Sequence, residues 1–307
     1  MVDIVVVGSL NMDLVVRAPH FPHPGETLTG DGFATFPGGK GANQAAACAL
    51  LGAETAMVGR VGQDAFGSRL RDGLRAFGVE TTHIRTDADA PTGTAVIVVE
   101  ERGENAIVVV PGANGELGVT DIKAAEHLLA STACLVTQLE VPLEPIHEAA
   151  AIVHQAGGTI VLNAAPAQAL PETLLRLVDD LIVNETEASL LAGVTVSDTE
   201  SATEAAQQLR AAGPHCVVLT LGARGALLVD EQGPWVCPAK SVQVVDTTAA
   251  GDAFVGAWAA ALTRGEDRRS ALCYAVAAGT LATTKMGAQP SLPHHEQVTQ
   301  FMETRDV

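Results

Sequence analysis

Short apolar runs that alternate with longer stretches of helical periodicity constrain the fold of this chain most strongly. The runs lack the polar alternation of half-exposed strands, so each predicts a strand that is buried on both faces. They are residues 4–7, 56–61, 135–139, 159–162, 181–183 and 217–221. The stretches between them predict helices at about 41–51, 65–77, 120–129, 143–156, 186–192 and 201–212. This β-α-β rhythm predicts an α/β fold with a mostly parallel central sheet and helices on both faces.

Two regions, 12–36 and 93–110, interrupt this rhythm because they contain strand-like pieces but no long helical pattern. The pieces are 14–17, 27–36, 94–100 and 106–110, with a turn composition at 101–105. They predict a small sheet that projects from the main domain; surface loops on the main sheet are the alternative. After residue 225 the pattern predicts strands and then helices, at 226–230, 235–237, 242–245, 250–264, 267–285 and 294–304.

Composition excludes several classes of protein. Among 307 residues, 36 are acidic and 18 basic, and a net charge of −18 disfavours binding to a nucleic-acid backbone. The hydrophobic fraction of 47% predicts a packed globule rather than a disordered chain. No apolar run approaches the roughly 18 residues of a membrane span. Residues 1–8 contain no basic leader and predict a strand, so we expect a soluble cytoplasmic protein that binds neither nucleic acid nor membrane.

The five cysteines lie far apart in the sequence and form no Cys-x-x-Cys pair. An odd number of cysteines in mostly apolar surroundings is typical of free thiols in a reducing cytoplasm. We therefore predict packed, unpaired thiols at Cys48, Cys134, Cys216, Cys237 and Cys273.

Several common catalytic motifs are absent from the sequence. No Gly-x-Gly-x-x-Gly follows the first strand, and no Walker P-loop, His-Glu-x-x-His or Gly-x-Ser-x-Gly occurs. These absences disfavour a dinucleotide-dependent dehydrogenase, a P-loop nucleotidase, a zinc protease and an α/β-hydrolase. What remains are two glycine-rich clusters and several carboxylates at the ends of predicted strands.

The strongest local signal is the run 246–254, between the predicted strand 242–245 and an apolar helix. Backbone amides and the dipole at a helix start favour an anion, such as a transferring phosphoryl group. Small residues at 249–251 allow a ligand to approach the backbone closely. Asp252 then lies beside that anion and can accept a proton from an attacking hydroxyl. The alternative is that Asp246 or Asp252 merely caps the helix.

A second cluster, residues 37–44, opens an Ala-rich helix. Its three glycines suit close contact with a compact polar ligand, to which Lys40 and Asn43 can offer donors and acceptors. Glycine loops before helices are also common without a ligand. A third cluster, residues 7–13, follows the first strand, at the sheet edge where ligands gather in open α/β folds.

Asn11 and Asp13 in that third cluster are two positions apart, so in an extended chain their side chains point the same way and form a fork for vicinal hydroxyls. An Asx-type turn is the alternative. Glu140 follows the strand 135–139 and falls on the same edge.

Two further clusters follow strands, at 184–187 and 220–225. The first offers carboxylates and an amide that could hold Mg²⁺ through water, and the glycines and Arg224 of the second could receive nucleotide phosphates. Each alone is more typical of a helix cap or a turn than of a ligand site. Because all five clusters follow strands or strand-like segments, we expect one shared crevice.

Four motifs resemble those of the PfkB (ribokinase-like) family of carbohydrate kinases, and the likeness runs along essentially the whole chain. The N-terminal signature of that family is similar to Gly38-Gly39-Lys40-Gly41-Ala42-Asn43-Gln44, and its highly specific C-terminal signature to Asp246-Thr247-Thr248-Ala249-Ala250-Gly251-Asp252. Its Asn-x-x-Glu motif resembles Asn184-Glu185-Thr186-Glu187. The segment Gly8-Ser9-Leu10-Asn11-Met12-Asp13 is similar to the corresponding segment of family members that phosphorylate ribose. Members that act on deoxyribose tend to lack an Asn at the position of Asn11.

The resemblance implies one large α/β domain over 1–307 with a β-sheet lid formed by about 12–36 and 93–110. Lids of this family pair in a homodimer. The implied reaction transfers the γ-phosphoryl group of ATP to the 5-hydroxyl of D-ribose, with Mg²⁺ and a monovalent cation, usually K⁺, as cofactors.

The resemblance also implies a set of site residues. For catalysis they are the base Asp252 and an anion hole at Ala249, Ala250, Gly251 and Asp252. For the sugar they are Asn11, Asp13, Gly39, Lys40, Gly41, Asn43, Glu140 and Asp252. For ATP they are Asn184, Thr220, Leu221, Gly222, Ala223, Arg224, Gly225 and Gly251, with Glu187 helping to place Mg²⁺. For the monovalent cation they are Asp246, Thr248, Ala282, Lys285, Gly287 and Ser291.

The chain departs from some members of the family at Val276, where they have a His or Asn near adenine. Two other functions remain open at this point. One is a kinase of the same fold that acts on a nucleoside, deoxyribose or a hexose, and the other is a catalytically silent sugar sensor. The intact Asp252 and the small residues before it disfavour the sensor.

Overall fold

A computed structural model describes residues 2–304 of the chain. Its strands, numbered along the chain, are β1 (Ile4–Val7), β2 (Asn11–Ala18), β3 (Gly32–Gly38), β4 (Thr55–Gly62), β5 (Ile84–Asp87), β6 (Gly93–Glu100), β7 (Asn105–Val110), β8 (Cys134–Gln138), β9 (Thr159–Asn163), β10 (Asp180–Asn184), β11 (Cys216–Thr220), β12 (Ala226–Asp230) and β13 (Gly233–Cys237). Nine of these form a central sheet in the order β13-β12-β11-β10-β9-β8-β1-β4-β5. That sheet is parallel except for β12 and β13, which form an antiparallel hairpin at one edge.

The helices are α1 (Lys40–Leu50), α2 (Ala65–Ala76), α3 (Val119–Ala124), α4 (Glu126–Leu129), α5 (Leu143–Ala156), α6 (Glu172–Leu175), α7 (Glu185–Ala192), α8 (Thr199–Ala211), α9 (Ala250–Thr263), α10 (Arg268–Ala282) and α11 (His295–Glu303). None of the helices in residues 2–304 is both long and apolar enough to span a bilayer.

The helices cover both faces of the central sheet, as the buried apolar strands predict. Ile4 and Val6 of β1 belong to the core on the side of α1, α2, α9 and α10. Val5 and Val7 belong to the core on the other side, with α5, α7 and α8. Successive strand residues face opposite sides of a sheet, so a strand packed on both faces must be apolar throughout. The α/β prediction is confirmed.

The two interrupting regions supply a second sheet of four strands, in the order β3-β2-β6-β7. β2 lies between an antiparallel partner, β3, and a parallel partner, β6. Asn11, the first residue of β2, pairs with Gly38 and Gly93 on these two neighbours. The predicted small sheet is therefore present, and its innermost end adjoins the carboxyl edge of β1.

Two element predictions are wrong. Residues 242–245 form no strand: Val244 and Val245 are more than half exposed, and the Val245 amide donates to the Thr283 carbonyl instead of to a neighbouring strand. The helix predicted at 120–129 is divided at Ala125, whose backbone leaves helical geometry.

The prediction of five free thiols is also wrong. Cys237, at the end of β13, forms a disulfide with Cys273 on α10, and their Cα atoms are 5.6 Å apart. The two residues are 36 positions apart in sequence, and only the packing of α10 against the β13 edge brings them together. Cys48, Cys134 and Cys216 are free and buried, as predicted.

Candidate active site

Asp252 lies in the first turn of α9 with 7% of its surface exposed. Its Oδ2 accepts a hydrogen bond from Asn43 Nδ2 at 2.9 Å, and its Oδ1 accepts one from Gln44 Nε2 at 3.0 Å. Burial raises the pKa of Asp252, while the Lys40 charge and the two amide donors act in the opposite direction. The carboxylate is thus held in a fixed orientation by two side chains of α1.

Close packing of α1 against α9 produces this contact. A Cβ at Gly256 would lie 2.5 Å from the Cβ of Ala47, so glycine is needed where the two helices cross. Asp252 is four residues before Gly256, and Asn43 is four residues before Ala47. Residues four apart share a helix face, so the close crossing also aligns the polar residues one turn earlier.

The backbone before α9 has an unusual conformation. Ala249 has φ of 59°, in the left-handed region that non-glycine residues seldom occupy. This residue turns the chain into the helix, and the amides of the first turn, at Gly251 and Asp252, have no partner within a helix by geometry. The segment 249–252 therefore presents backbone donors and the positive end of the helix dipole beside the Asp252 carboxylate.

Lys40 interacts with three carboxylates from separate elements, Asp252, Glu140 and Glu187. Lys40, the first residue of α1, is largely desolvated, which alone would lower its pKa, but the charges of Asp252, then Glu140 and Glu187, raise it overall. Lys40 is thus a cation among three carboxylates. Burial also raises the pKa of Glu187, partly offset by its bond to the Asn184 amide and by Lys40.

Glu140, just after β8, accepts hydrogen bonds through its Oε2 from three partners. They are Ser9 Oγ at 2.5 Å, the Lys40 amide at 3.1 Å and Asn11 Nδ2 at 3.4 Å. This carboxylate joins the segment after β1 to the start of α1. Asn11 is also fixed from its other side, because its Oδ1 accepts from Asn114 Nδ2 at 2.8 Å.

Asp13 is half-buried on β2, two residues beyond Asn11. Burial, followed by the charges of Glu140 and Asp252, raises the pKa of Asp13 to about 7. A carboxyl group with this pKa changes its protonation state near neutral pH. The structure therefore brings Asp13, Glu140 and Asp252 close enough to interact.

The glycines of the 38–41 loop pack tightly against the segment 9–13. A Cβ at Gly38 would lie 2.3 Å from Asp13 Oδ2, and one at Gly41 would lie 2.6 Å from the Ser9 amide. Gly39 has φ of 89° and approaches the Asn11 amide equally closely. The glycines thus allow the two loops to meet and place Lys40 and Asn43 opposite Asn11 and Asp13.

A cavity of about 480 Å³ lies on the other side of the α9 start. Thr220, Gly222, Ala223 and Gly225 line it, as do Ala250 and Gly251. The remaining walls are the irregular segment after β13, Phe254 of α9, and one face of α10 with the residue after it. Their other lining residues are Ala239, Lys240, Ser241, Val242, Val244, Thr247, Val276, Gly279, Thr280 and Thr283. Val276 therefore lies at the cavity. The contribution of residues 239–244 to its wall was not predicted from the sequence.

Three predicted nucleotide residues have other contacts. Arg224 pairs with Glu185 rather than lining the cavity, and the Leu221 side chain is buried in the core. Asn184 caps α7: its Oδ1 accepts from the Glu187 amide at 2.8 Å, and Glu187 Oε2 accepts from the Asn184 amide at 2.9 Å. This capping box accounts for the motif locally. It also leaves Glu187 near enough to Lys40 for their charges to interact.

The predicted monovalent-cation residues come from two segments that meet. Asp246 Oδ1 accepts from the Thr248 amide at 2.9 Å, and Asp246 Oδ2 accepts from the Gly287 amide at 2.8 Å. Burial alone would raise the pKa of Asp246, but these bonds lower it overall, so the carboxylate stays ionised. Oxygen donors and an ionised carboxylate are ligands that suit an alkali cation. Ala282 and Ser291, on either side of Gly287 in the sequence, are buried, while Lys285 is exposed.

Sequence reasoning missed the amides that support the charged residues. Gln138 Nε2 on β8 donates to Gln44 Oε1 at 2.6 Å, and Gln44 Nε2 also contacts Asn163 Oδ1 on β9 at 3.1 Å. Asn114, in a short 3₁₀ turn after β7, was missed as well. The one available signal was their residue type, since a buried side-chain amide needs a polar partner.

A nucleotide-sized cavity that ends at helix-start amides, next to a buried carboxylate, suits phosphoryl transfer to a hydroxyl group. A family model described as pfkB family carbohydrate kinase matches residues 1–295. The chain is 41% identical to a ribokinase of Haemophilus influenzae over 97% of both chains, and 34% identical to a deoxyribokinase of Salmonella typhi over 99% of this chain and 100% of that one. The structure of Arabidopsis thaliana ribokinase complexed with ribose and ATP is 33% identical, has a TM-score of 0.93 and is matched over 99% of this chain and 100% of that one. This chain therefore belongs to the pfkB family of carbohydrate kinases.

Proposed function

We propose that the protein transfers the γ-phosphoryl group of ATP to the 5-hydroxyl of D-ribose. The observation that supports this best is that the first turn of α9 borders the nucleotide-sized cavity on one side and the polar residues of α1 on the other. Ala250 and Gly251 line the nucleotide-sized cavity, and the next residue, Asp252, is bonded to Asn43 and Gln44 on the opposite side. A phosphoryl group at this turn would lie between the two compartments, where transfer requires it.

In the proposed reaction Asp252 accepts the proton of the 5-hydroxyl as that oxygen attacks the γ-phosphorus, and ADP leaves with the electrons of the broken P–O bond. The amides of the 249–252 segment stabilise the charge on the transferring group. Lys40 interacts with both Asp252 and Glu187, so we place it between the two compartments, where it adds a positive charge. Asp252 is held by Asn43 and Gln44, and the amides are held by the helix start, before substrate arrives, so these groups need little reorganisation.

The sugar would occupy the crevice between the 9–13 segment and the start of α1. Asn43 Oδ1 is buried and has no hydrogen-bond partner among residues 2–304, as expected of an acceptor that awaits a hydroxyl. The proposed sugar ligands are Asn11, Asp13, Gly39, Lys40, Gly41, Asn43, Glu140 and Asp252. Their mixture of acceptors and donors suits a polyol better than an apolar substrate.

ATP would occupy the 480 Å³ cavity, with its base toward Val276 and its phosphates toward Gly251. We assign Mg²⁺ to the side of Glu187, whose carboxylate would hold the ion through water, and K⁺ to the Asp246 and Gly287 region. Mg²⁺ would neutralise phosphate charge. Because Arg224 is paired with Glu185, a direct contact from Arg224 to phosphate would require that pair to open.

The small sheet is proposed as a lid that shields the sugar from water, and as the surface through which two copies pair. Its exposed apolar side chains support this proposal, since 53% of Ile107 and 65% of Val108 are exposed. Phe33, Val96, Val109 and Val110 are exposed on the same sheet. Sedimentation equilibrium tests the pairing, and Val108→Asp should yield monomers. We place this reaction in the cytoplasm, where ATP is available.

A sugar panel tests the function. The purified protein is assayed for ATP consumption with ribose, 2-deoxyribose, fructose and adenosine, with and without K⁺, and the phosphorylated carbon is identified by ³¹P and ¹H NMR. We expect the highest kcat/KM with ribose, a 5-phosphate product and activation by K⁺. Phosphorylation of adenosine alone, or of no acceptor, would contradict the proposal.

Deoxyribose is the second candidate substrate, because a deoxyribokinase matches the whole chain. Asn11 favours ribose, because its amide lies between Asn114 and Glu140 at the sugar crevice, where it can bind a vicinal hydroxyl. Asn11→Ala should therefore reduce kcat/KM for ribose more than for 2-deoxyribose. Equal reductions for the two sugars would argue against Asn11 as the discriminating residue.

A further inference from the structure

Two histidines and a glutamate form a cluster in the connection between β2 and β3, away from the proposed active site. One ligand atom from each of His20, His23 and Glu26 lies within 4.8 Å of the others. All three side chains are solvent-accessible: 45% of the His20 side chain and 32% of the Glu26 side chain are exposed.

Neighbouring backbone groups orient these ligands. His20 Nδ1 lies 3.0 Å from the Phe21 carbonyl oxygen, which favours a proton on Nδ1 and leaves the Nε2 lone pair for a metal. Glu26 Oε2 accepts a hydrogen bond from the His23 amide at 2.9 Å. The other oxygen, Oε1, lies 3.7 Å from His20 Nε2. His20 and Glu26 are thus each held by a contact on one ligand atom while the other ligand atom remains available to an ion.

The loop itself is constrained. The Glu26 amide donates to the His23 carbonyl at 3.0 Å, which closes a turn, and Gly25 adopts the left-handed φ of 82° that the turn requires. Pro22 and Pro24 fix φ on either side of His23. A loop restricted in this way loses less conformational entropy when its side chains converge on an ion.

We propose that His20, His23 and Glu26 bind a first-row divalent cation, with Zn²⁺ as the best match. Two ligands held at about 2.0–2.1 Å on a tetrahedral ion lie roughly 3.4 Å apart, close to the 3.7 Å separation of His20 Nε2 and Glu26 Oε1. Two imidazoles and one carboxylate suit Zn²⁺, whereas Mg²⁺ prefers oxygen ligands and water. Water would complete the coordination. The net charge of −18 favours cation binding in general.

This site is separate from the phosphoryl-transfer residues. Asn11 is at the first residue of β2 and the cluster follows its last, Ala18, so the strand alone separates them by about 23 Å. The ion would join three positions in the first part of the β2–β3 connection, at residues 20, 23 and 26, and stabilise that segment. Binding should therefore raise the melting temperature without requiring nucleotide or sugar.

Calorimetric titration of the tag-free, nucleotide-free protein with ZnCl₂ tests the proposal. We expect the native protein to bind one Zn²⁺ per chain at this site and to show a Zn²⁺-dependent rise in Tm. His23→Ala should bind Zn²⁺ at least about 10- to 100-fold more weakly and should lose that rise in Tm. His154→Ala, which removes an exposed histidine on α5, is the matched control and should bind like the native protein.

Glu26→Gln provides a second variant. The amide oxygen of the new side chain can still accept a hydrogen bond from the His23 N–H, but the negative charge that would bind the ion is lost. Co²⁺ substitution should give a tetrahedral absorption spectrum in the native protein that weakens in both cluster variants. The proposal is wrong if the native protein binds no Zn²⁺ at 100-fold molar excess over chain. It is equally wrong if His23→Ala and His154→Ala bind with the same affinity.

Discussion

Gln44 Nε2 lies 3.0 Å from Asp252 Oδ1 and 3.1 Å from Asn163 Oδ1, so one buried amide connects α9 to β9. Its oxygen accepts from Gln138 on β8. The orientation of the proposed base is therefore determined by the central sheet as well as by α1. These neutral amides fix the Asp252 carboxylate by hydrogen bonds. They add no positive charge, which would lower the pKa of Asp252 further and weaken it as a base.

Gln44→Ala should move the acid limb of the kcat–pH profile upward. The Gln44 donor lowers the pKa of Asp252, against the larger effect of burial, so removing it raises that pKa further. A hydrogen bond to a charged group contributes about 1.5–3 kcal/mol, which corresponds to a shift of roughly one to two pH units. Gln155→Ala, at an exposed position on α5, should leave the profile unchanged. A uniform loss of rate at all pH values would indicate a purely structural role.

Asp13→Asn should raise the KM for ribose about 10- to 100-fold above pH 7, because a charge-assisted hydrogen bond to a sugar hydroxyl is lost. In the native protein that KM should fall as pH rises through about 7, the pKa to which burial raises Asp13. Titration of ribose at pH 5, 6, 7 and 8 measures both effects. A flat native KM over this range would contradict the assignment.

The same substitution should change stability with a defined sign. Because the folded-state pKa of Asp13 is raised from 3.8 to about 7, the folded state disfavours its ionised form. Asp13 therefore costs stability progressively as pH rises from about 4 to 7, and fully above that. Asp13→Asn should raise Tm more at pH 8 than at pH 5. An equal change in Tm at both pH values would contradict this linkage.

Reduction of the Cys237–Cys273 bond should destabilise the protein by about 3–4 kcal/mol, because the bond closes a loop between residues 36 apart. Urea unfolding with and without dithiothreitol measures the loss. The Cys237→Ser/Cys273→Ser variant should be insensitive to the reductant. Thiol titration in denaturant should give three free thiols before reduction and five after it. Five thiols before reduction would exclude the bond.

The sequence was sufficient for most of the central sheet, because strands such as β1 and β11 are buried on both faces and their apolar runs have no competing explanation. It missed the edge strand β5, where Arg85 and Thr86 are exposed and no apolar run occurs. It failed at 242–245, where alternating valines look like a strand but have no neighbouring strand to pair with. Strand formation there depends on tertiary partners rather than on local preference.

The site was predictable where its residues are adjacent in sequence, as at the start of α9, where small residues at 249–251 directly precede Asp252. Its supporting residues were not, because Gln44, Gln138 and Asn163 are distant in sequence and meet only through the order of α1, β8 and β9. The disulfide was hidden for the same reason. Cys237 and Cys273 carry no spacing signal, and their pairing depends on where α10 packs.

Asp252→Asn tests the central claim most directly. Asn has the same shape but cannot accept a proton at neutral pH, so ribose-dependent ATP turnover should fall roughly 10²- to 10⁴-fold. Thermal unfolding, measured on the same preparation, should stay close to native. The account is contradicted if a correctly folded Asp252→Asn protein phosphorylates ribose at the native rate.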